Sequence, residues 1–311
     1  MKNVLVVYYT QSGQLLEIAQ NVVRDLEKSS EVSVTYHQVK PVNEYNFPWR
    51  KDNFFDTFPE SFLQIPCDLE EAKPEVLSKK YDLVILAYQI WYLTPSIPIN
   101  SFLKSDTAKI LLKDTPVITV IGCRNMWIQA QEKMKVLLNN VQAELVGNIV
   151  LIDRHINHIS VITIEKWMFS GKKESYLGVF PKPGVSQKDI DEATKFGKPI
   201  LEGLLQGEYQ NLQDNLLKID AVKINSFLVL VDKRANVLFG KWANLIIKKG
   251  KPGEKKRLKW IGYFNKYLKF AIWFIAPIVF IVFLLTYLPF LGSIKKDQKY
   301  YASVNQNSRT K

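Results

Sequence analysis

Cysteine and histidine are scarce, with two and three copies in 311 residues. Cys67 and Cys123 form no CxxC, so a disulfide framework or a thiolate zinc site is not indicated, and reduced thiols in a cytoplasmic body are the simplest expectation. Acidic side chains are missing from one region only. Residues 1–247 carry 28 basic and 28 acidic groups, whereas residues 248–311 carry 14 basic groups and two acidic ones, Glu254 and Asp297. The formal charge of +12 therefore lies wholly in the last fifth of the chain. A body without net charge has no global field for phosphate backbones, which argues against nucleic acid as a partner. At 47% hydrophobic, with 14 glycines and 14 prolines, the chain is not disordered either. GxGxxG and the P-loop lysine are both lacking, so dinucleotide and NTP fingerprints are absent.

Charge of either sign is missing from Phe270 to Ile294. At about 1.5 Å per residue this run is long enough to cross a hydrocarbon core of about 30 Å. It is apolar all round, where a buried core helix of a soluble protein carries one stripe. The sequence thus predicts one C-terminal transmembrane helix over 270–292, with Pro277 and Pro289 tolerated inside the membrane. Lys248, Lys249, Lys251, Lys255, Lys256, Arg257, Lys259, Lys266 and Lys269 precede it, and Lys295, Lys296 and Lys299 follow. That asymmetry puts the N-terminal side in the cytoplasm. The apolar stretch Val4 to Tyr9 is too short for a signal peptide. The expected location is the cytoplasmic membrane, through a single C-terminal span with membrane lipid around it. The expected division is a domain over 1–207, a helical connector, amphipathic in part, over 208–249, a basic juxtamembrane segment over 250–269, the span, and a short tail over 293–311.

The body alternates strands and helices. Val4 to Tyr9, Val32 to Val39, Tyr81 to Tyr88, Pro116 to Gly122 and Gly147 to Ile152 read as strands, four of them continuous apolar runs of the kind buried on both faces. Helical spacing follows the first strand, recurs from Trp127 to Asn140, and closes the domain from Gln187 to Leu205 with Gly207 as its stop. Five strands interleaved with helices give an α/β class, a doubly wound five-stranded parallel sheet.

In such sheets ligands bind beyond the carboxyl ends of the strands. Thr10, Gln11, Ser12, Gly13, Gln14 and Leu15 form the first such loop, where free N–H groups and a helix dipole favour an anion. A capped helix start is the plain alternative. Gln89, Ile90, Trp91, Tyr92, Leu93 and Thr94 form the second, with adjacent aromatics suited to sandwiching a planar ring. Cys123, Arg124, Asn125, Met126 and Trp127 form the third. Each aromatic taken singly is more often packing, but three such loops at one sheet edge point to a flat phosphorylated ligand.

These loops, over roughly residues 1 to 205, resemble the flavodoxin-like FMN proteins. The resemblance implies FMN as cofactor, its phosphate on Thr10 to Leu15 and its ring between the second and third loops, with Leu15 in place of a hydroxyl residue. The longer pattern is more specific. FPWRKDNFFDTFPESFLQIP (Phe47 to Pro66), GCRNMW, DRHINH and the apolar tail together resemble the dialkylresorcinol condensing-enzyme family of flexirubin-type pigment pathways. That resemblance implies formation of a 2,5-dialkylresorcinol beside a ketosynthase partner, and it leaves a homodimer open.

A ketosynthase product of the 2,5-dialkylcyclohexane-1,3-dione type must lose two hydrogens to become a resorcinol, and a bound flavin is a two-electron acceptor. The expected activity is an FMN-dependent oxidoreductase, an aromatase acting on a lipophilic small molecule. His155 and His158, after the fifth strand, are candidate bases, and Arg124 or Arg154 is a candidate partner for an enolate oxygen. A purely structural role for both histidines, and a metal on Asp153, His155 and His158, are the alternatives; no further ligand cluster supports a metal. His37 reads as a surface residue. Competing functions are an NAD(P)H-dependent quinone reductase, a flavodoxin-type electron carrier and a flavin-free scaffold. The balanced charge of the body speaks against the carrier. The aromatic segment Phe47 to Pro66 reads as a lid, as an alkyl-chain channel or as packing on the sheet.

Overall fold

The computed structural model describes residues 1–306. Its strands are β1 (Lys2–Tyr8), β2 (Val32–Gln38), β3 (Leu83–Trp91), β4 (Thr94–Pro95), β5 (Pro116–Cys123) and β6 (Glu144–Ile152). Five of them pair in parallel in the order β2-β1-β3-β5-β6. This is the doubly wound order of the flavodoxin type, as the sequence led us to expect. The sixth strand is a two-residue arm, β4, that pairs antiparallel with the end of β3. Val4 to Val7, Leu83 to Tyr88, and Val117 with Ile118, Val120 and Ile121 are buried because helices cover both faces of the sheet, which is why these runs do not alternate.

The helices begin with α1 (Gln14–Lys28), which lays Leu15, Ile18, Val22 and Leu26 on the sheet at helical spacing. After β2 comes an insert with α2 (Lys51–Asp56) and α3 (Phe58–Phe62), then a single turn, α4 (Pro74–Leu77). α5 (Ile97–Leu103) and α6 (Asp106–Leu112) lead to β5, and α7 (Ile128–Asn140) joins β5 to β6. Beyond β6 follow α8 (Asn157–Ser170), α9 (Gln187–Asp191), α10 (Gly197–Gln206) and α11 (Leu212–Lys218). The chain finishes with α12 (Ser226–Ile247), α13 (Lys255–Phe270), α14 (Ala276–Thr286) and α15 (Leu291–Ala302). Between α13 and α14 the helix widens into a π turn over Ala271–Ile275. Pro277 lacks the N–H that would bond the carbonyl of Trp273, and the wider turn absorbs the gap.

Gly207 does stop α10, in the left-handed conformation at φ 71°. The sheet domain nevertheless continues past it. Leu212, Leu216 and Ala221 join the main core, and the carbonyl of Ala221 accepts from the N–H of Val150 on β6 at 2.8 Å. The aromatic insert is neither a free lid nor simple sheet packing. Phe55, Phe58 and Phe62 build a second core with Leu93, Phe239 of α12, and Ile261 and Phe264 of α13. The rings of Phe58 and Phe264 stack at 3.9 Å. Arg257, expected among the free cations flanking a span, is fully buried. It donates to Asp56 at 2.6 Å and to Glu60 at 2.7 Å, and so ties α13 to the insert.

α13 and α14 return antiparallel along α12. Phe239 meets Phe264 in the middle, and Phe227 at the start of α12 meets Phe280 and Phe283 of α14. The stretch Lys255–Thr286 is one helix long and apolar enough to cross a membrane. The tail beyond it, however, comes back to the body. Lys233 of α12 pairs with Asp297 at 2.7 Å, Gln213 of α11 donates to the carbonyl of Ala302, and the Tyr300 hydroxyl donates to Glu132 of α7 at 2.7 Å. Glu132 is itself in a wholly buried pair with Lys135. A tail separated from the body by a bilayer, as the sequence reading of 293–311 implied, is not the arrangement these contacts make. Residues 307–311 of that tail lie outside the described residues.

Candidate functional site

The turn after β1 lies where the strand order reverses between β1 and β3, the switch point at which open α/β sheets bind ligands. Its six residues divide. Thr10 points a buried hydroxyl that has no partner, and such an orphan marks a missing ligand atom or water. Gly13 holds φ at 82°, and a Cβ placed there meets nothing within 4 Å, so the mouth of the turn is open. Ser12 and Gly13 lead directly into α1, fifteen residues long, whose N-terminal N–H groups are free to meet an anion. Gln11 is used otherwise: it accepts from the Trp49 indole at 3.1 Å and donates to the carbonyl of Tyr45. Gln14 donates to the carbonyl of Val185 and accepts from its N–H, both at 3.1 Å. Leu15 is core. Thr10, Ser12 and Gly13 thus fit a phosphate, while the two glutamines pin the segments that cover it.

The second group is a hairpin rather than a loop. β3 runs on to Trp91, so Gln89 and Ile90 are strand residues, and Tyr92 and Leu93 make the turn at φ 50° and 63°. Bulky residues rarely take the left-handed region, and the strain persists only where the surroundings enforce it. Here the Tyr92 hydroxyl donates to the carbonyl of Phe54 at 2.8 Å, Lys133 donates to that of Leu93 at 3.1 Å, and Ser61 and Thr94 both donate to that of Trp91. Tyr92 and Leu93 consequently face the second core. Trp91 stays beside the first turn, edge-on to Tyr9 at 5.8 Å, Tyr45 at 5.0 Å and Trp49 at 5.4 Å. The expected aromatic pair is therefore split, and a planar ring would meet Trp91 with Tyr9, Tyr45 and Trp49.

At the end of β5, Arg124 donates to the Asn157 side chain at 2.7 Å and Asn125 donates to the same oxygen at 3.0 Å. The Oδ1 of Asn125 is buried without a partner. The Cys123 carbonyl accepts from the N–H of Asp153, joining this turn to the one after β6, and burial pushes the Cys123 thiol well up. Met126 packs on the second core and Trp127 in the first. Of the two histidines, His155 is exposed on the turn after β6, whereas the Nε2 of His158 lies 3.1 Å from the carbonyl of Ile272 with its ring against Trp273. His158 is thereby occupied in holding the apolar helix. Arg154 pairs with Asp189 at 2.7 Å and is turned away. Asp153 accepts from the N–H of His155 and from the Ser160 hydroxyl, which ties the turn after β6 to α8. His37 is partly covered, 5.8 Å from the ring of Phe102, rather than a free surface group.

Two features escaped the sequence reading. One is what the start of the Phe47 to Pro66 segment, read as a lid, packs against: Phe47 packs on Trp167 of α8, Trp49 donates from its backbone to Met168, and Gly184 sits so close to Trp167 and Gln14 that a Cβ would come within 2.8 and 2.9 Å of them. Aromatic enrichment over 45–49 was the available signal. The other is a buried acid and base behind the β5 turn. Asp232 is wholly buried, with one oxygen accepting from the N–H of Gln129 at the start of α7 and the other unpartnered. Burial pushes its carboxyl from 3.8 up to about 7 and the Lys133 ammonium from 10.5 down to about 7.

The two shifts act oppositely on stability. The Asp232 contribution is present below its unfolded value near 3.8 and is lost as pH rises through about 7. The Lys133 contribution is present above its unfolded value near 10.5 and is lost as pH falls through about 7. Stability should pass through a minimum near neutrality, each limb worth on the order of 4 kcal/mol. Urea unfolding at pH 5, 7 and 9 tests this: Asp232→Asn should flatten the acid limb and Lys133→Met the alkaline one. Profiles in these variants parallel to the parent would show that the two groups do not titrate as described.

No family model matches the chain, and no curated protein matches it. Among solved structures, a flavoprotein in complex with FMN from Lactobacillus acidophilus NCFM is 14% identical over 48% of this chain and 93% of its own, with a TM-score of 0.36. A flavodoxin from the domain Archaea is 12% identical over 66% of this chain and 99% of its own, TM-score 0.36. Flavodoxin 1 from Bacillus cereus is 11% identical over 65% and 98%, TM-score 0.36.

Proposed function

We propose that the chain is a membrane-associated FMN-dependent oxidoreductase that converts a 2,5-dialkylcyclohexane-1,3-dione to the 2,5-dialkylresorcinol. The observation that carries the flavin reading is the switch-point turn, where an orphaned buried hydroxyl, an open glycine and a free helix N-terminus stand beside the Trp91 aromatic cluster. Bound FMN supplies the two-electron oxidation that separates dione from resorcinol. Thr10, Ser12 and Gly13 hold the phosphate, and Trp91 with its neighbours offers apolar edges to the ring. Phe47, Trp49 and Trp167 exclude water from above. Arg124, oriented by Asn157, stabilises the enolate oxygen, and His155, exposed at the same edge, takes the ring proton. His158 serves position rather than proton transfer. A ketosynthase would supply the dione, and the alkyl chains suit a domain held on the cytoplasmic face of a membrane.

The test is anaerobic mixing of the purified, flavin-loaded chain with a dialkylcyclohexanedione and, separately, with NADPH. Bleaching by the dione with resorcinol formed is the expected result; bleaching by NADPH alone would favour a quinone reductase and sink the aromatase. His155→Gln should slow turnover by about 10²-fold or more with flavin retained, while His158→Gln should leave the chemical step near its parent rate.

A further inference from the structure

The segment after α14 comes back to the body, an arrangement that a single crossing does not make. We propose that the chain is held on one face of an anionic bilayer by α14 lying in the interfacial plane, with both of its ends on the same side. This rests on the packing of α12 to α15 and not on the flavin reading.

The 270–290 stretch touches the protein along one narrow face, with Phe283 half-buried and Phe280 still 43% exposed where they meet Phe227. Another face carries Phe274, Ile278, Ile281, Leu285 and Leu288 at helical spacing, all open to the outside, with Leu285 and Leu288 each 77% exposed. An apolar strip of this length, about 21 Å at 1.5 Å per residue, is not left in water by a soluble protein. What covers it is indicated by charge. Lys266 and Lys269 stand exposed before the strip, Lys295, Lys296 and Lys299 stand exposed after it, and no acidic group lies between. Cations at both ends of an apolar helix match an anionic headgroup layer better than the apolar surface of a protein partner.

The anchoring of the two ends excludes opposite sides. The first end is fixed to the body through Ile272 on His158 and Tyr267 on Trp242. The second is fixed through Asp297 on Lys233, Gln298 on Ser226, and Tyr300 on Glu132. Carrying the tail across a bilayer would strip the second set, leave the Glu132–Lys135 pair without its hydroxyl donor, and uncover Phe227. In-plane burial keeps every one of them and still removes the exposed strip from water. It also sets His158, which touches Trp273, at the membrane surface beside the sheet edge.

Two single-cysteine variants of the full chain, Lys79→Cys on the body and Lys299→Cys on α15, both in a background with Cys67 and Cys123 replaced by serine, test the topology. In sealed inverted vesicles both should react with a membrane-impermeant maleimide. Reaction of Lys79→Cys with protection of Lys299→Cys would establish a crossing and overturn the proposal. Flotation with vesicles of phosphatidylglycerol and phosphatidylcholine provides the second measurement. The parent chain should float, and Ile281→Glu with Leu285→Glu, at exposed positions, should partition about 100-fold more weakly with an unchanged circular dichroism spectrum. A parent chain that stays with the soluble fraction would overturn the proposal equally, whatever flavin it carries.

Discussion

Gly13→Asp is expected to leave the protein colourless, with FMN affinity lower by roughly a thousandfold. Two effects meet at this position. The backbone holds φ at 82°, a conformation costing about 1 kcal/mol for most side chains but less for Asp and Asn. A Cβ finds open space, so bulk is not the obstacle. The dominant effect is charge: a carboxylate here stands at the N-terminus of α1, where the phosphate is proposed to sit. At about 4 Å and an effective dielectric near 20, one pair of like charges costs about 4 kcal/mol. Gly13→Asn, with the same shape and no charge, should lose far less, and the ratio of the two measured by flavin fluorescence titration isolates the electrostatic part. Flavin retained by Gly13→Asp at parent affinity would refute the phosphate assignment.

Arg257→Ala should destabilise the chain by about 3 kcal/mol, toward the low end for a buried pair because the carboxylates left without their partner are only partly buried. The guanidinium is fully buried between Asp56 and Glu60 and also donates to the Asp56 carbonyl at 2.6 Å. Asp56 in turn accepts from the N–H of Gly253, so its loss loosens the 248–254 turn as well. Thermal unfolding would register the overall loss, and hydrogen exchange should show it concentrated in α13 and the insert. The triple variant Arg257→Met, Asp56→Asn, Glu60→Gln removes the charges together and should recover most of the stability. If the triple variant were as unstable as Arg257→Ala, packing volume rather than unpaired charge would be the cause.

The sheet was legible because its information is local. Val4 to Tyr8 and Leu83 to Tyr88 declare burial on both faces in their own residue types, and Gly207 announces the end of α10 by itself. The first turn was legible as an open strand-to-helix junction for the same reason. What local pattern does not carry is pairing at a distance. Gln11 and Gln14 look like phosphate ligands until Tyr45, Trp49 and Val185 are seen to occupy them. Tyr92 looks like a ring-stacking residue until β3 is seen to continue three residues further and turn it into the second core. The apolar run from Phe270 shows the sharpest case: an all-round hydrophobic helix has the same composition whether lipid covers it or α12 covers one side. Only the contacts of Tyr300 and Asp297 beyond it decide where its far end goes.

The second core also fixes an order of events during synthesis. Phe55, Phe58 and Phe62 emerge early, yet their partners Phe239 and Phe264 follow some two hundred residues later. At about 5–20 residues per second, that is roughly 10–40 s in which the sheet is gaining its strands while an aromatic face remains open to water. Such a face on a nascent chain is a target for holding factors and a risk for self-association. A chain interrupted before α12 would keep this face without both of its helical partners permanently, with Asp56 and Glu60 left as two acids lacking a counter-ion.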